Sequence, residues 1–213
     1  MGSQSPVENR HLAVRNLHLW RGEKHLLRGV SFELGAGELL QVMGPNGVGK
    51  TSLLRCVAGL LPVESGDIAW QGTPCARDFE SLHQQLVYLA HLNALKPDLT
   101  TLENLHFAIG LRRQIAAGQF METLTRLQIA HCADLPVRAL SAGQKRRVAL
   151  ARVLLYDASL WILDEPITNL DAAGIRLVEE LMAEHLRNGG LILTAAHQTL
   201  LDGRACVRTL DLN

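Results

Sequence analysis

The spacing of apolar residues divides this chain of 213 residues into strand-like ends and a helical middle. Between residues 11 and 34, Leu12, Val14 and Leu17 are irregularly spaced, but Val30-Ser31-Phe32-Glu33-Leu34 alternates apolar and polar positions. Alternation with period two suits a strand with one buried face, so this stretch predicts antiparallel strands. Gly35-Ala36-Gly37 is a turn into Leu39-Leu40-Gln41-Val42-Met43, which reads as a buried strand. Residues 51–58 follow as a helix that stops at Gly59, residues 66–70 as a short strand ended by Gln71-Gly72, and residues 86–90 as another buried strand. From Lys96 to about Leu155 the pattern turns helical. Thr100 and Glu103 have capping-box spacing and open a helix through residues 102–107. A second helix is expected near residues 120–129, and Pro136 breaks the chain before a third that opens at Ser141. Residues 160–163 then read as a strand, residues 172–186 as a helix ended by Asn188-Gly189-Gly190, and residues 191–195 as a strand.

Strands alternating with helices at both ends describe an α/β fold: a mainly parallel sheet with flanking helices and an antiparallel β part at the N-terminus. The strandless stretch 96–155 is expected to be a helical subdomain inserted into a core made of residues 11–95 and 156–213. The length suits one domain, 1–213, with a sizeable core, and no internal repeat or low-complexity segment interrupts it.

Charge narrows the partners. The 21 basic and 21 acidic residues cancel, so no bulk field draws the chain to nucleic acid, and aromatic residues at 4% are too few for base-stacking platforms. No apolar run approaches the roughly 18 residues that span a bilayer, and no signal peptide opens the chain. The expected location is therefore the cytoplasm, unless a partner holds the chain at a membrane. Met1-Gly2-Ser3-Gln4-Ser5-Pro6 is polar and expected to fray. Cys56, Cys75, Cys132 and Cys206 show neither C-x-x-C pairing nor metal-ligand spacing, so buried reduced thiols are expected, and the nine histidines are scattered.

Chemistry enters with Gly44-Pro45-Asn46-Gly47-Val48-Gly49-Lys50-Thr51, which fits G-x-x-x-x-G-K-[ST] between a predicted strand and a predicted helix. Glycines let the backbone turn tightly and aim successive N–H groups inward. The helix that begins at Thr51 and Ser52 adds its N-terminal donors and positive dipole end, so a polyphosphate is held largely by main chain. Lys50 would reach the β- and γ-phosphates, and the Thr51 hydroxyl would coordinate Mg²⁺. The segment predicts a nucleoside triphosphate site in a P-loop NTPase core. A second element is the apolar run Leu160-Trp161-Ile162-Leu163 ending in Asp164-Glu165. Such a strand delivers its acids to the ligand-binding edge of a parallel sheet, where Asp164 would hold Mg²⁺ through its water shell and Glu165 would polarise the attacking water. The third element is Leu140-Ser141-Ala142-Gly143-Gln144, followed by Lys145-Arg146-Arg147. Ser141 is a helix N-cap, but Gly143 costs about 1 kcal/mol against alanine, which makes sense if another phosphate must approach the backbone. The basic run after it reads as a solvated face.

In this order the three elements resemble the nucleotide-binding subunits of ABC transporters, over about residues 11 to 200. Leu140 to Gln144 matches the LSGGQ signature with alanine for its first glycine. Thr168-Asn169-Leu170-Asp171 matches the D-loop, and His197 in Thr194-Ala195-Ala196-His197-Gln198 matches the switch histidine. Trp20 lies where that family often stacks an aromatic ring on adenine, although a tryptophan in a strand also serves packing. The resemblance implies ATP and Mg²⁺ as cofactors and a homodimer. Each nucleotide would lie between the loop from Gly44 to Ser52 of one subunit and Ser141, Gly143 and Gln144 of the other, with Lys50, Glu165 and His197 catalytic. His91 is a departure, because it stands where the family carries a coupling glutamine, and no glutamine follows until Gln114. A neutral imidazole can supply a hydrogen bond there, and His91 and Asp171 are the expected coupling residues. Ile68-Ala69-Trp70-Gln71-Gly72, Leu99-Thr100-Thr101-Leu102-Glu103-Asn104-Leu105 and Arg146-Arg147-Val148-Ala149-Leu150-Ala151-Arg152 are similar to the ATPase subunit of the bacterial haem exporter of cytochrome c maturation. That similarity implies integral membrane subunits resembling CcmB and CcmC, a haem chaperone as an indirect partner, and a peripheral place on the cytoplasmic face of the bacterial inner membrane. Three alternatives stay open: a P-loop small-molecule kinase, which would not explain Leu140 to Gln144; a soluble ABC-type clamp ATPase; and export of another small solute.

Overall fold

A computed structural model describes residues 10–76, 79–110, 115–204 and 206–212; Met1 to Pro6 and Gln114 lie outside the described residues. An antiparallel sheet takes its strands from the first third of the chain. β1 (His11–Arg21) and β2 (Lys24–Gly35) form a hairpin, and β4 (Ser65–Trp70) with the short β5 (Thr73–Pro74) completes the order β2-β1-β4-β5. Register shifts after Val14, Leu17 and Leu19 account for the irregular apolar spacing in β1. Each bulge adds a residue on one strand and turns the next side chain to the other face.

The second sheet is parallel throughout, in the order β6-β7-β8-β3-β9, from β3 (Leu39–Met43), β6 (Leu86–Leu89), β7 (Leu160–Asp164), β8 (Leu191–Ala195) and β9 (Val207–Asp211). β3, β6, β7 and β8 are mostly apolar because both faces are covered. Leu160 and Ile162 of β7 join the cluster beneath the antiparallel sheet, together with Leu12, Val14 and Leu17 of β1. Trp161 and Leu163, alternating with them, join a second cluster with Val148, Val153, Val178 and Met182. Helices α1 (Lys50–Val57), α2 (Phe79–Gln85), α3 (Thr101–Ile109), α4 (Ala117–Arg126), α5 (Ala142–Tyr156) and α6 (Ala172–Arg187) connect the strands, with α3 to α5 between β6 and β7.

Local chemistry sets the helix starts. Thr100 accepts from the Glu103 amide while the Glu103 carboxylate accepts from the Thr100 amide, a complete capping box, and Ser141 and Gln144 make the same reciprocal pair at the start of α5. Asp171 caps α6 through the Gly174 amide. The second helix of the middle region ends at Arg126 and not near residue 129, because Gln128 takes a left-handed backbone (φ 58°) before a 3₁₀ turn at Ala130–Cys132. The apolar pattern does not announce α2 or β9. α2 buries only Leu82, and no residue of β9 is fully buried, so neither carries a full apolar period. No disulfide joins the described cysteines, and Cys56, Cys75 and Cys132 are buried; burial pushes the Cys56 thiol up to about 11. Among the described residues, no helix is long and apolar enough to cross a membrane.

Because β3, β7 and β8 are adjacent and parallel, their C-terminal ends deliver Gly44, Glu165 and Ala196 to one edge of the sheet. Ligands of open α/β sheets bind at this edge.

Candidate active site

The loop from Gly44 to Gly49 owes its path to glycine at two positions. Gly44 has φ 135°, and a Cβ there would stand 2.5 Å from the Leu212 carbonyl oxygen. Gly49, with φ 119°, is the N-cap of α1 and carries no side chain to occupy the first helical N–H groups. Those donors, with the dipole end of α1, form an anion cradle. Lys50 is nearly buried, and its Nζ donates to the carbonyls of Gly44 at 2.7 Å and Pro45 at 3.1 Å, which holds the ammonium at the mouth of the loop.

Behind the loop, the Thr51 hydroxyl donates to Asp164 Oδ1 at 3.2 Å, joining the start of α1 to the end of β7. Asp164 is buried, and its second oxygen, Oδ2, has no hydrogen-bond partner among the described residues. A buried carboxylate oxygen left unpaired costs on the order of 1–3 kcal/mol or more. Thr51 and Asp164 thus present the oxygen donors that a hard divalent cation takes, and the unpaired oxygen fits that group. No cluster of three or more His, Cys, Asp or Glu that could hold a metal ion occurs among the described residues.

Glu165 takes a left-handed backbone (φ 52°), unusual for a residue with a Cβ. Its amide donates to the Ala195 carbonyl at 2.8 Å, and its Oε1 lies 3.4 Å from His197 Nε2. A cleft of about 590 Å³ gathers Asn46, Gly47, Gly49, Lys50, Thr51, Ser52, Glu165, His197 and His91 with Arg21, Lys24 and Leu26 of the first hairpin. Arg21 and Lys24 line the cleft although nothing in the sequence points to them; they are exposed strand-end cations with no mark beyond their charge. The Trp20 indole stacks on His25, with centroids 4.1 Å apart and planes 7° apart, and stays 45% exposed, so packing takes only part of it. Ser141 and Gln144 pair with each other at the start of α5, and with Gly143 and Asp171 they do not line this cleft.

The basic run of α5 is not the solvated face that its charge suggests. Arg146 is 1% exposed and uses all five N–H donors: Nε to Pro166 O (3.1 Å), Nη1 to Ala90 O and Asn93 Oδ1 (2.9 Å each), and Nη2 to Asp164 O (2.8 Å) and Glu165 O (2.6 Å). Burial pulls its pKa down to about 10, against the opposing pull of Asp164 and Glu165. Arg147 bonds Leu127 O and reaches Asp171 at 3.5 Å, and Arg152 bonds the carbonyls of Asn93 and Ala94. Gly143 also has a local reason: a Cβ there would meet the Asn169 carbonyl oxygen at 2.8 Å, so the turn before α6 passes directly over it. One guanidinium therefore ties the helix behind Ser141 to both acids and to the turn that follows His91.

The comparisons with known proteins agree with this geometry. Residues 27–168 match the family described as ABC transporter. The chain is 43% identical over 202 residues to the cytochrome c biogenesis ATP-binding export protein CcmA of Vibrio cholerae, covering 94% of this chain and 98% of that protein. It is equally similar to the CcmA of Escherichia coli K12, over 94% of this chain and 96% of that one. Among solved structures, a Pyrococcus furiosus protein named as an ABC transporter ATP-binding protein superposes with a TM-score of 0.82 at 23% identity, covering 95% of this chain and 97% of that one. The ATP binding subunit of an ABC transporter superposes with a TM-score of 0.77 at 26% identity, covering 87% and 79%. A phosphate loop backed by a buried aspartate, a following glutamate within reach of a histidine, and this similarity along nearly the whole chain lead to one conclusion: the chain belongs to the ABC transporter family, and it is an ATPase.

Proposed function

We propose that this chain drives a membrane export complex of cytochrome c maturation, powering haem export or the release of a haem-loaded chaperone. The observation that carries the proposal is the 43% identity to CcmA across 94% of the chain, well beyond the phosphate loop and acids that all such ATPases share. Two copies pair head to tail, and the second copy's Ser141, Gly143 and Gln144 complete each nucleotide site. This is supported by their standing outside the cleft that holds Lys50, Glu165 and His197.

Within that cleft each residue has a task set by its chemistry. The amides from Gly44 to Ser52, including those of Asn46, Gly47, Val48 and Gly49, receive the triphosphate, with Pro45 shaping the loop, and Lys50 turns its ammonium to the β- and γ-phosphates. Thr51 and Asp164 hold Mg²⁺, which when bound offsets phosphate charge. Glu165 accepts a hydrogen bond from the attacking water and polarises it, and His197 donates to the transferring phosphoryl group. The closed dimer binds ATP better than the open one, and hydrolysis removes that preference, so the work available is the difference in affinity.

The movement passes to integral membrane subunits resembling CcmB and CcmC, with a haem chaperone as a more distant partner. A second cleft of about 350 Å³ supports this, lined by Leu60, Leu92, Asn93, Arg152 and Tyr156 beside the turn that carries His91. Leu92 and Leu60 are 78% and 59% exposed there, apolar surface that suits a partner helix. Asp171, held by Arg147, couples the two nucleotide sites across the dimer. The ATPase is then a peripheral subunit on the cytoplasmic face of the inner membrane.

The test is rescue of c-type cytochrome formation in bacteria lacking their own CcmA. The wild-type chain restores haem-stained cytochromes and Lys50→Ala does not; wild-type failure alongside normal ATPase activity would point to another exported solute. On the purified chain, Glu165→Gln traps an ATP-bound dimer, seen as a doubled mass by size-exclusion with light scattering. A monomer under those conditions contradicts the paired site.

A further inference from the structure

β3 carries a glutamine where its neighbours Leu39, Leu40 and Val42 are apolar and buried, and Gln41 is itself 1% exposed. Burying an amide costs about 1–3 kcal/mol unless hydrogen bonds complete it. The hydrogen bonds of Gln41 go mainly to one loop. Its Nε2 donates to the Gln198 carbonyl at 2.7 Å and lies 3.1 Å from Met43 Sδ, and its Oε1 accepts from the Leu200 amide at 3.0 Å. The bridged segment leaves β8 and begins with His197. That imidazole is 62% exposed and meets Glu165 at 3.4 Å, so packing around the ring does little to fix it. The backbone beneath it must do so. Three residues after Gln41, the same strand becomes Gly44 of the phosphate loop.

We infer that Gln41 is a positioning residue for ATP hydrolysis, a single amide that holds the His197 loop at a set distance from the phosphate loop. The inference rests on the role proposed above for His197. Glu179 pins the far end of the loop, where its Oε1 accepts from the Leu201 amide at 3.1 Å. Gln41 grips the end next to the reacting groups.

The test measures ATP hydrolysis, ATP affinity and thermal stability on the full chain for wild type, Gln41→Leu, His197→Ala and the double variant. Gln41→Leu is expected to lower kcat about 10- to 100-fold, the scale of a misplacement near 1 Å. Its ATP Kd should stay within about 3-fold, because the loss concerns the transition state and not ground-state binding. His197→Ala is expected to lower kcat about 100-fold or more. The double variant should be no slower than His197→Ala alone, since the amide acts through that ring. Losses that multiply, or a wild-type rate for Gln41→Leu, overturn the clamp and leave the role of His197 intact. A wild-type rate for His197→Ala removes that role and the clamp with it. Should Gln41→Leu not fold, Gln41→Glu probes the same contact through pH. A protonated carboxyl can donate to Gln198 O as the amide does, and an ionised one cannot. Its kcat relative to wild type should therefore rise as pH falls; a flat ratio overturns the proposal.

Discussion

Replacing Arg146 by methionine puts a number on the buried guanidinium. The side chain keeps an apolar stem but ends short of the guanidinium and loses five donors, leaving the carbonyls of Ala90, Asp164, Glu165 and Pro166 and the Asn93 amide oxygen without that partner. The bonds to Asp164 O and Pro166 O are fully buried, so water cannot replace the donor there. Two dry acceptors at about 1–3 kcal/mol each give a loss of about 2–6 kcal/mol. Against this stands relief from burying a charge. The arginine pKa falls from 12.5 to about 10, a burial penalty of about 3 kcal/mol. Breaking a buried charge network nevertheless costs about 3–5 kcal/mol as a rule, and we expect about 3 kcal/mol here, the low end, because the strain of burial goes with it. For a chain of this size that is a fall in Tm of about 6–12 °C. Scanning calorimetry of the nucleotide-free protein measures it. ATPase assays at 20 °C then ask whether Glu165, held in its left-handed conformation by the same fork, keeps its place; kcat should fall about 10-fold. A methionine variant as stable as wild type would mean that burial cancels the hydrogen bonds, and an undiminished kcat would reduce Arg146 to a structural tie.

Other perturbations follow from single contacts. Gly143→Ala gains about 1 kcal/mol of helix propensity but drives a methyl to 2.8 Å from the Asn169 carbonyl oxygen, so the urea midpoint should fall by a net equivalent of about 1 kcal/mol or more; a raised midpoint would contradict the close approach. Burial against Trp161 pulls the pKa of His185 down from 6.5 to about 4, so between those values the unfolded chain binds the extra proton. Stability is full above pH 6.5 and falls by about 3 kcal/mol as pH drops toward 4, and His185→Gln should flatten that dependence in urea titrations at pH 7 and pH 4.5. His91→Gln should leave ATPase activity within a few-fold, because either side chain can accept a hydrogen bond in the cleft; complete loss would give His91 chemistry of its own.

What the sequence disclosed and what it withheld differ in the distance over which each feature is encoded. The phosphate loop, the acids ending β7 and the capping boxes of Thr100 with Glu103 and Ser141 with Gln144 are each written within a few consecutive residues, and their local geometry is legible there. β9 is not, because it is an edge strand whose pairing with β3 joins positions 168 apart, at Leu39 and Val207, and whose own residues bury little. Charge alone misplaces Arg146 on the surface, because its acceptors lie 18 to 56 positions away. Yet a signal is present. Arg146 falls on the stripe of Ala149, Leu150 and Val153, all buried and spaced as one helix face, so its position is a core position despite its charge. Gln41 gives the same signal in a strand, an amide among Leu39, Leu40 and Val42. In each case a polar side chain placed at a core position must find its partners or cost about 1–3 kcal/mol. Here the partners are the backbones of Asp164 and Glu165 for the arginine and of the His197 loop for the glutamine. A polar residue inside an apolar period therefore marks a buried tie to another segment more reliably than charge does, because an exposed charge need not bond anything, whereas a buried donor has to.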